Sequence, residues 1–139
     1  MKDTILCAID FSDASMNALK RAIQLAVCTN AHLSVLFSYR LIHTGQQDSV
    51  MVFKKKMEDE AIEKFKEIEK KLINGQDVSR GFITEIGFMS DNIERFVRKN
   101  PISMLVLSRS MCSNLNDHKG ISLEEFIGSI NVPLLIVPN

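Results

Sequence analysis

Apolar residues follow two periods along this chain. Short strand-like runs occur at Thr4 to Ile9, Leu33 to Tyr39, Phe82 to Phe88, Ile102 to Leu107 and Pro133 to Val137. The first is continuously apolar, the mark of a strand covered on both faces. Between the runs, apolar positions recur every three or four residues, as on one face of a helix. Leu19, Ala22, Ile23 and Ala26 form such a stripe within Asp13 to Cys28. Phe53, Met57, Ala61, Phe65, Ile68 and Leu72 form another within Val50 to Ile73, where Lys54, Lys55, Glu58, Glu63, Lys66, Glu67 and Lys70 are expected to face solvent. Ile93, Phe96 and Val97 mark a third, shorter helix, and Ser122-Leu123-Glu124-Glu125 opens a fourth.

Punctuation supports these boundaries. Ser12 is placed to cap the first helix and Thr29-Asn30 to break it. Asn74-Gly75 ends the long helix, and Asn100-Pro101 ends the third. Asp91 and Glu94 have capping-box spacing, as do Ser122 and Glu125. The stretch from Ser108 to Lys119 reads as a loop.

Strands alternating with helices predict a parallel sheet with helices on both faces. Such a sheet reverses its winding once, and ligands bind beyond the carboxyl ends of the strands at the reversal. If the first and fourth strands flank it, Asp10 and Ser108 lie across one crevice.

Composition narrows the class further. At 139 residues the chain is expected to be one domain over 1–139, and 17 basic against 17 acidic residues give no field favouring nucleic acid or an anionic membrane. No apolar run approaches the ~20 residues of a membrane span, and with a strand expected directly after Met1-Lys2-Asp3-Thr4 no signal peptide is expected. Three scattered cysteines, Cys7, Cys28 and Cys112, fit reduced thiols and a cytoplasmic location. No spacing of His, Cys or carboxylates suggests a metal.

Several nucleotide folds share this element order and are excluded by chemistry. The turn Asp10-Phe11-Ser12-Asp13-Ala14-Ser15 lacks the glycines of a dinucleotide fingerprint, and no P-loop sequence occurs anywhere. A receiver domain would need an aspartate where Gly87-Phe88 stands. His32 and His43 have no partner that suggests catalysis, and no nucleophile, base and orienter can be assembled.

What remains resembles the universal stress protein family over essentially the whole chain. Ile5 to Ser12 resembles the family's opening strand followed by D-x-S, and Ala31 to Ser38 its second strand. Ile86 to Ile93 is similar to its G-x-P helix start, Met104 to Ser108 to its fourth strand, and Pro133 to Pro138 to its last. The resemblance implies a five-stranded doubly wound α/β sheet in order 3-2-1-4-5, of the adenine nucleotide alpha hydrolase-like type. ATP-binding members carry G-x-x-G, nine residues, then G-[ST] after the fourth strand. Here Ser108 and Met111 fall at the first two glycines, Gly120 at the third, and Ile121 replaces the hydroxyl residue.

Glycines in a phosphate cradle permit positive φ and close approach of N–H groups to oxygen. Side chains at Ser108 and Met111 are therefore expected to weaken or abolish ATP binding, by ~3 kcal/mol if two positions are each strained by ~1–2 kcal/mol. Asp10, Ser12, Ser38, Ser108, Ser110, Met111, Gly120 and Ser122 are the candidate nucleotide-site residues. Ser122 reads better as a helix cap than as a phosphate ligand. Arg109, His118 and Lys119 could restore some positive charge. The expected function is a non-enzymatic, regulatory stress-response homodimer, paired through its C-terminal strand and contacting an unidentified protein partner. No cofactor is expected beyond weakly held ATP. The alternative is an ATP-binding sensor or slow ATPase; a redox module centred on Cys112 is a third reading.

Overall fold

The structure, a computed structural model, describes residues 3–41, 47–115 and 121–139. Gly120, His118, Lys119 and His43 lie outside the described residues, so the expectations that fall on them do too.

Five strands form one parallel sheet: β1 (Thr4–Ile9), β2 (His32–Tyr39), β3 (Arg80–Ile86), β4 (Met104–Ser108) and β5 (Leu134–Val137), in the order β3-β2-β1-β4-β5. Both faces of β1 are buried, as its unbroken apolar run requires. Ile5, Cys7 and Ile9 point to one side, packing with Leu33, Val35 and Val106 against Leu19, Ala22 and Ile23 of α1 (Asp13–Thr29). Leu6 and Ala8 point to the other, with Leu36, Leu105 and Leu107. That second layer is covered by Ile93 of α3 (Met89–Lys99), Met111 of α4 (Arg109–Ser113), and Phe126 and Ile130 of α5 (Leu123–Ile130).

The long helix α2 spans Gln47–Ile68 and continues into a π-helical turn, Glu69–Ile73. Of its expected stripe, Ala61 and Phe65 are buried, Ile68 and Leu72 pack against the same core, and Phe53 and Met57 are half-buried; Ile73, outside the stripe, is buried too. The expected solvent face holds except that Lys54 and Glu58 are half-buried, and Glu58 accepts a 2.6 Å hydrogen bond from the Tyr39 hydroxyl, tying α2 to the end of β2. Asn30 and Asn131 take left-handed conformations just past α1 and α5, a role asparagine tolerates better than most residues.

Two local expectations fail. Helix α3 begins at Met89 with Phe88 at its N-cap, so Asp91 lies in its first turn and the Asp91–Glu94 capping box does not form. The region after β4 is not loop at its start. Ser108 ends the strand and caps α4, its Oγ accepting from the Met111 amide at 3.2 Å. A serine followed by residues free of Gly and Pro is a helix start.

Candidate functional site

The turn between β1 and α1 is closed by side chains rather than glycines. The Ser12 hydroxyl and the Ser12 amide both donate to Asp10 Oδ1, the amide at 3.0 Å. Ser12 Oγ in turn accepts from the Ser15 amide at 3.1 Å, capping α1 as expected. Ser15 Oγ donates to the Ser12 carbonyl and accepts from the Asp10 amide. Partial burial of Asp10 opposes its ionisation. The hydrogen bonds from Ser12 and Ser15 outweigh that, holding the carboxyl below the usual carboxylate range. Asp10 is an acceptor at neutral pH, and among the described residues no hydrogen bond is made to its Oδ2.

Phe11, at the centre of this turn, has φ 62°. A bulky residue there costs ~1–2 kcal/mol, and the sequence gives no sign of it. The ring offsets the cost by packing on Phe37 at 4.8 Å and Phe82 at 6.4 Å between centroids, with the Lys64 ammonium 5.3 Å away. The usual ranking of Gly and Ala should therefore invert at this position. Phe11→Ala keeps the strain and loses the ring, at ~2 kcal/mol or more. Phe11→Gly loses the ring but relieves the strain, and urea denaturation should find it the more stable of the two. A more stable Ala variant would show that the turn relaxes to negative φ.

Beyond the carboxyl ends of β1, β2, β3 and β4 opens a cleft of about 260 Å³. Asp10, Ser38, Arg40, Phe88, Met111 and Asn114 are among its walls. It lies where the winding reverses between β1 and β4, as a doubly wound sheet requires. Its volume is just below the ~300 Å³ at which small-molecule pockets begin. Arg40 lies over the Phe88 ring at 4.7 Å from the centroid, making a flat, cationic lip. Gly87, at φ 119°, lets the chain turn over the buried Asn92 side chain. A Cβ at Gly87 would stand 3.4 Å from Asn92 Oδ1.

Of the expected site residues, Asp10, Ser38 and Met111 line this cleft. Ser12, Ser108, Ser110 and Ser122 do not line it. Ser108 is fully buried as the α4 cap, and the Ser110 amide donates to Asn139 Oδ1 at 3.2 Å. Ser122 is exposed and caps α5, its Oγ accepting from the Glu125 amide at 3.1 Å and donating to the Glu125 carboxylate at 3.3 Å. Met111 is not in a left-handed conformation: it is helical and 4 % exposed, with its side chain in the core under β4. The strain expected at Met111 is absent. What the residue does instead is commit its amide to Ser108.

Arg40, Phe88 and Asn114, and Asn92 behind Ser38, were not legible as site residues. Only their position one to several residues past a strand end could have marked them. Cys112 is partly buried, and burial raises its thiol pKa, while Cys7 is fully enclosed and pushed up to about 12. A thiol reagent applied to the native protein should modify exposed Cys28 first, Cys112 slowly and Cys7 only on unfolding. Fastest reaction at Cys112 would revive the redox reading.

No helix among the described residues is long and apolar enough to cross a membrane. No curated protein matches the chain at a significant level. Solved structures do. Universal stress protein UspA from Lactobacillus plantarum superposes with a TM-score of 0.74 at 16% identity, covering 97% of each chain. A universal stress protein in complex with cAMP matches at 0.71 and 19% identity, over 99% of this chain and 97% of that one. The universal stress protein from Archaeoglobus fulgidus in complex with dAMP matches at 0.59 and 15%, over 98% and 97%. At such identities these likenesses establish the fold. The sequence profile of the universal stress protein family matches residues 1–138. The chain belongs to the universal stress protein family.

Proposed function

We propose that this chain is a non-enzymatic regulatory member of its family, a cytoplasmic homodimer paired through β5, whose cleft holds an adenine nucleotide with a short phosphate tail and ATP only marginally. One observation carries the reading. After β4, the Met111 amide is committed to Ser108 Oγ at 3.2 Å, and the Ser108 hydroxyl is paired in addition with Ser110 Oγ at 3.2 Å, so neither is offered to a phosphate chain. The Ser110 amide is likewise engaged, by Asn139. A triphosphate would have to displace these contacts, at ~1 kcal/mol or more for each buried bond left unmade. The nucleoside end is better provided. Asp10 Oδ2 suits ribose hydroxyls, and Arg40 on Phe88 offers a flat face beside a cleft of nucleoside size. Relatives of the same fold have been solved with cAMP and dAMP, both monophosphates.

The non-enzymatic reading rests on how the polar groups are used. Ser12, Ser108 and Ser122 are helix caps, and the Tyr39 proton is held more tightly than usual, by burial and by Glu58. None is poised as a nucleophile or base. Calorimetric titration with AMP and with magnesium ATP tests the proposal. AMP is expected to bind at least as tightly as ATP. ATP binding a hundredfold tighter than AMP would establish the sensor reading instead.

A further inference from the structure

Asn92 is 2 % exposed at the start of α3, and its partners fix its orientation. Arg95 Nη1 donates to Oδ1 at 2.9 Å, and arginine can only donate. Nδ2 donates to Ser38 Oγ at 3.0 Å and, more loosely, to the Glu85 carbonyl at 3.5 Å, which can only accept. The amide therefore cannot be turned around without setting donor against donor at Arg95 and acceptor against acceptor at Glu85.

This orientation constrains Ser38, which lines the cleft. A hydroxyl carries one donor and two acceptor sites. Asn92 occupies one acceptor site, and among the described residues no acceptor faces the Ser38 proton. The geometry points to Asn92 as the residue that sets the hydrogen-bond polarity of the cleft, holding Ser38 as a donor so that the cleft selects ligands presenting an acceptor there. Asp10 presents the opposite polarity at the end of the neighbouring strand. A planar ligand with a ring-nitrogen acceptor, carrying donors elsewhere, matches both. The inference deepens the nucleotide reading and rests on it for the identity of the ligand, whereas the polarity itself rests only on Asn92 and its partners.

Asn92→Asp is nearly isosteric and can pair with Arg95, but its carboxylate must accept from Ser38, turning the hydroxyl proton away from the cleft. Calorimetry with AMP and with its 1-deaza, 3-deaza and 7-deaza analogues reads the consequence. In the wild type, at least one analogue should bind tenfold or more weaker than AMP. In Asn92→Asp, and equally in Ser38→Ala should the first variant fold poorly, that ratio should fall below about threefold. A purely structural Asn92 would weaken AMP and analogues alike and leave the ratio intact, which overturns the inference, as does a wild type indifferent to all three replacements. A wild type that binds no AMP at all defeats the nucleotide reading instead. The polarity is then decided by nuclear magnetic resonance. Asn92 side-chain amide protons that shift and lose protection in Ser38→Ala support it, and unchanged resonances overturn it.

Discussion

Replacing Ser108 and Met111 together by glycine, the substitution that would rebuild a phosphate cradle on sequence grounds, should destabilise the protein severely rather than restore binding. Met111 is buried against Leu105, Leu107 and Phe126 under the sheet. Removing a buried Met side chain costs ~2–5 kcal/mol. Glycine inside α4 adds ~1 kcal/mol, and loss of the Ser108 cap a few tenths more. Against a total stability of ~5–15 kcal/mol, the melting temperature should drop by ~10 °C or more. Met111→Leu, which keeps the volume, should cost under ~1.5 kcal/mol. If the double glycine variant is as stable as its parent and binds ATP more tightly, Met111 is only an obstruction in an otherwise intact cradle.

A lysine at Ile136 is expected to abolish dimerisation while sparing the fold. Strand β5 is four residues long, bounded by Pro133 and Pro138, and forms one edge of the sheet. A bare apolar edge invites pairing, and two edges meeting across a two-fold axis satisfy each other and close the assembly. Ile136 is the residue of this strand left open, at 38% exposure, whereas Val137 is 7% exposed and belongs to the core. The two positions therefore separate interface from fold. Ile136→Lys should weaken association a hundredfold or more, ~3 kcal/mol. Val137→Lys should lower stability outright by burying a charge. Lys66→Glu, at an exposed helical ion pair with Glu63, should do neither. Sedimentation of the wild type should give twice 15.7 kDa. A wild type monomeric at high micromolar concentration, or an Ile136→Lys dimer as tight as the parent, rules this edge out.

The sheet was legible because its signals are local and redundant. An apolar run such as Thr4 to Ile9 has no stable place but a twice-covered strand, and Ser12, Asn30 and Ser122 punctuate the helices through their own side-chain chemistry. The cleft was legible only in part. Asp10 and Ser38 follow from strand ends, but Arg40, Phe88 and Asn114 enter through folding, which brings separate strand ends to one crevice, and Asn92 reaches it only through Ser38. Phe11 gave no sign of its positive φ, because the rings that hold it there come from β2 and β3. Met111 was misplaced for a related reason. Its position in a family pattern suggested a damaged loop, while the local sequence around Ser108 encodes a capped helical turn.

The most direct test of the central claim, that the turn after β4 is closed to a triphosphate, is the thermal unfolding of wild-type protein with and without 1 mM magnesium ATP. A ligand at 100 times its Kd stabilises by ~2.7 kcal/mol, several degrees in a domain of this size. With the Ser108 hydroxyl and Met111 amide bonded to each other, the expected shift is below about 1 °C. A rise of several degrees would show that ATP opens the α4 cap and binds there, and would contradict the account.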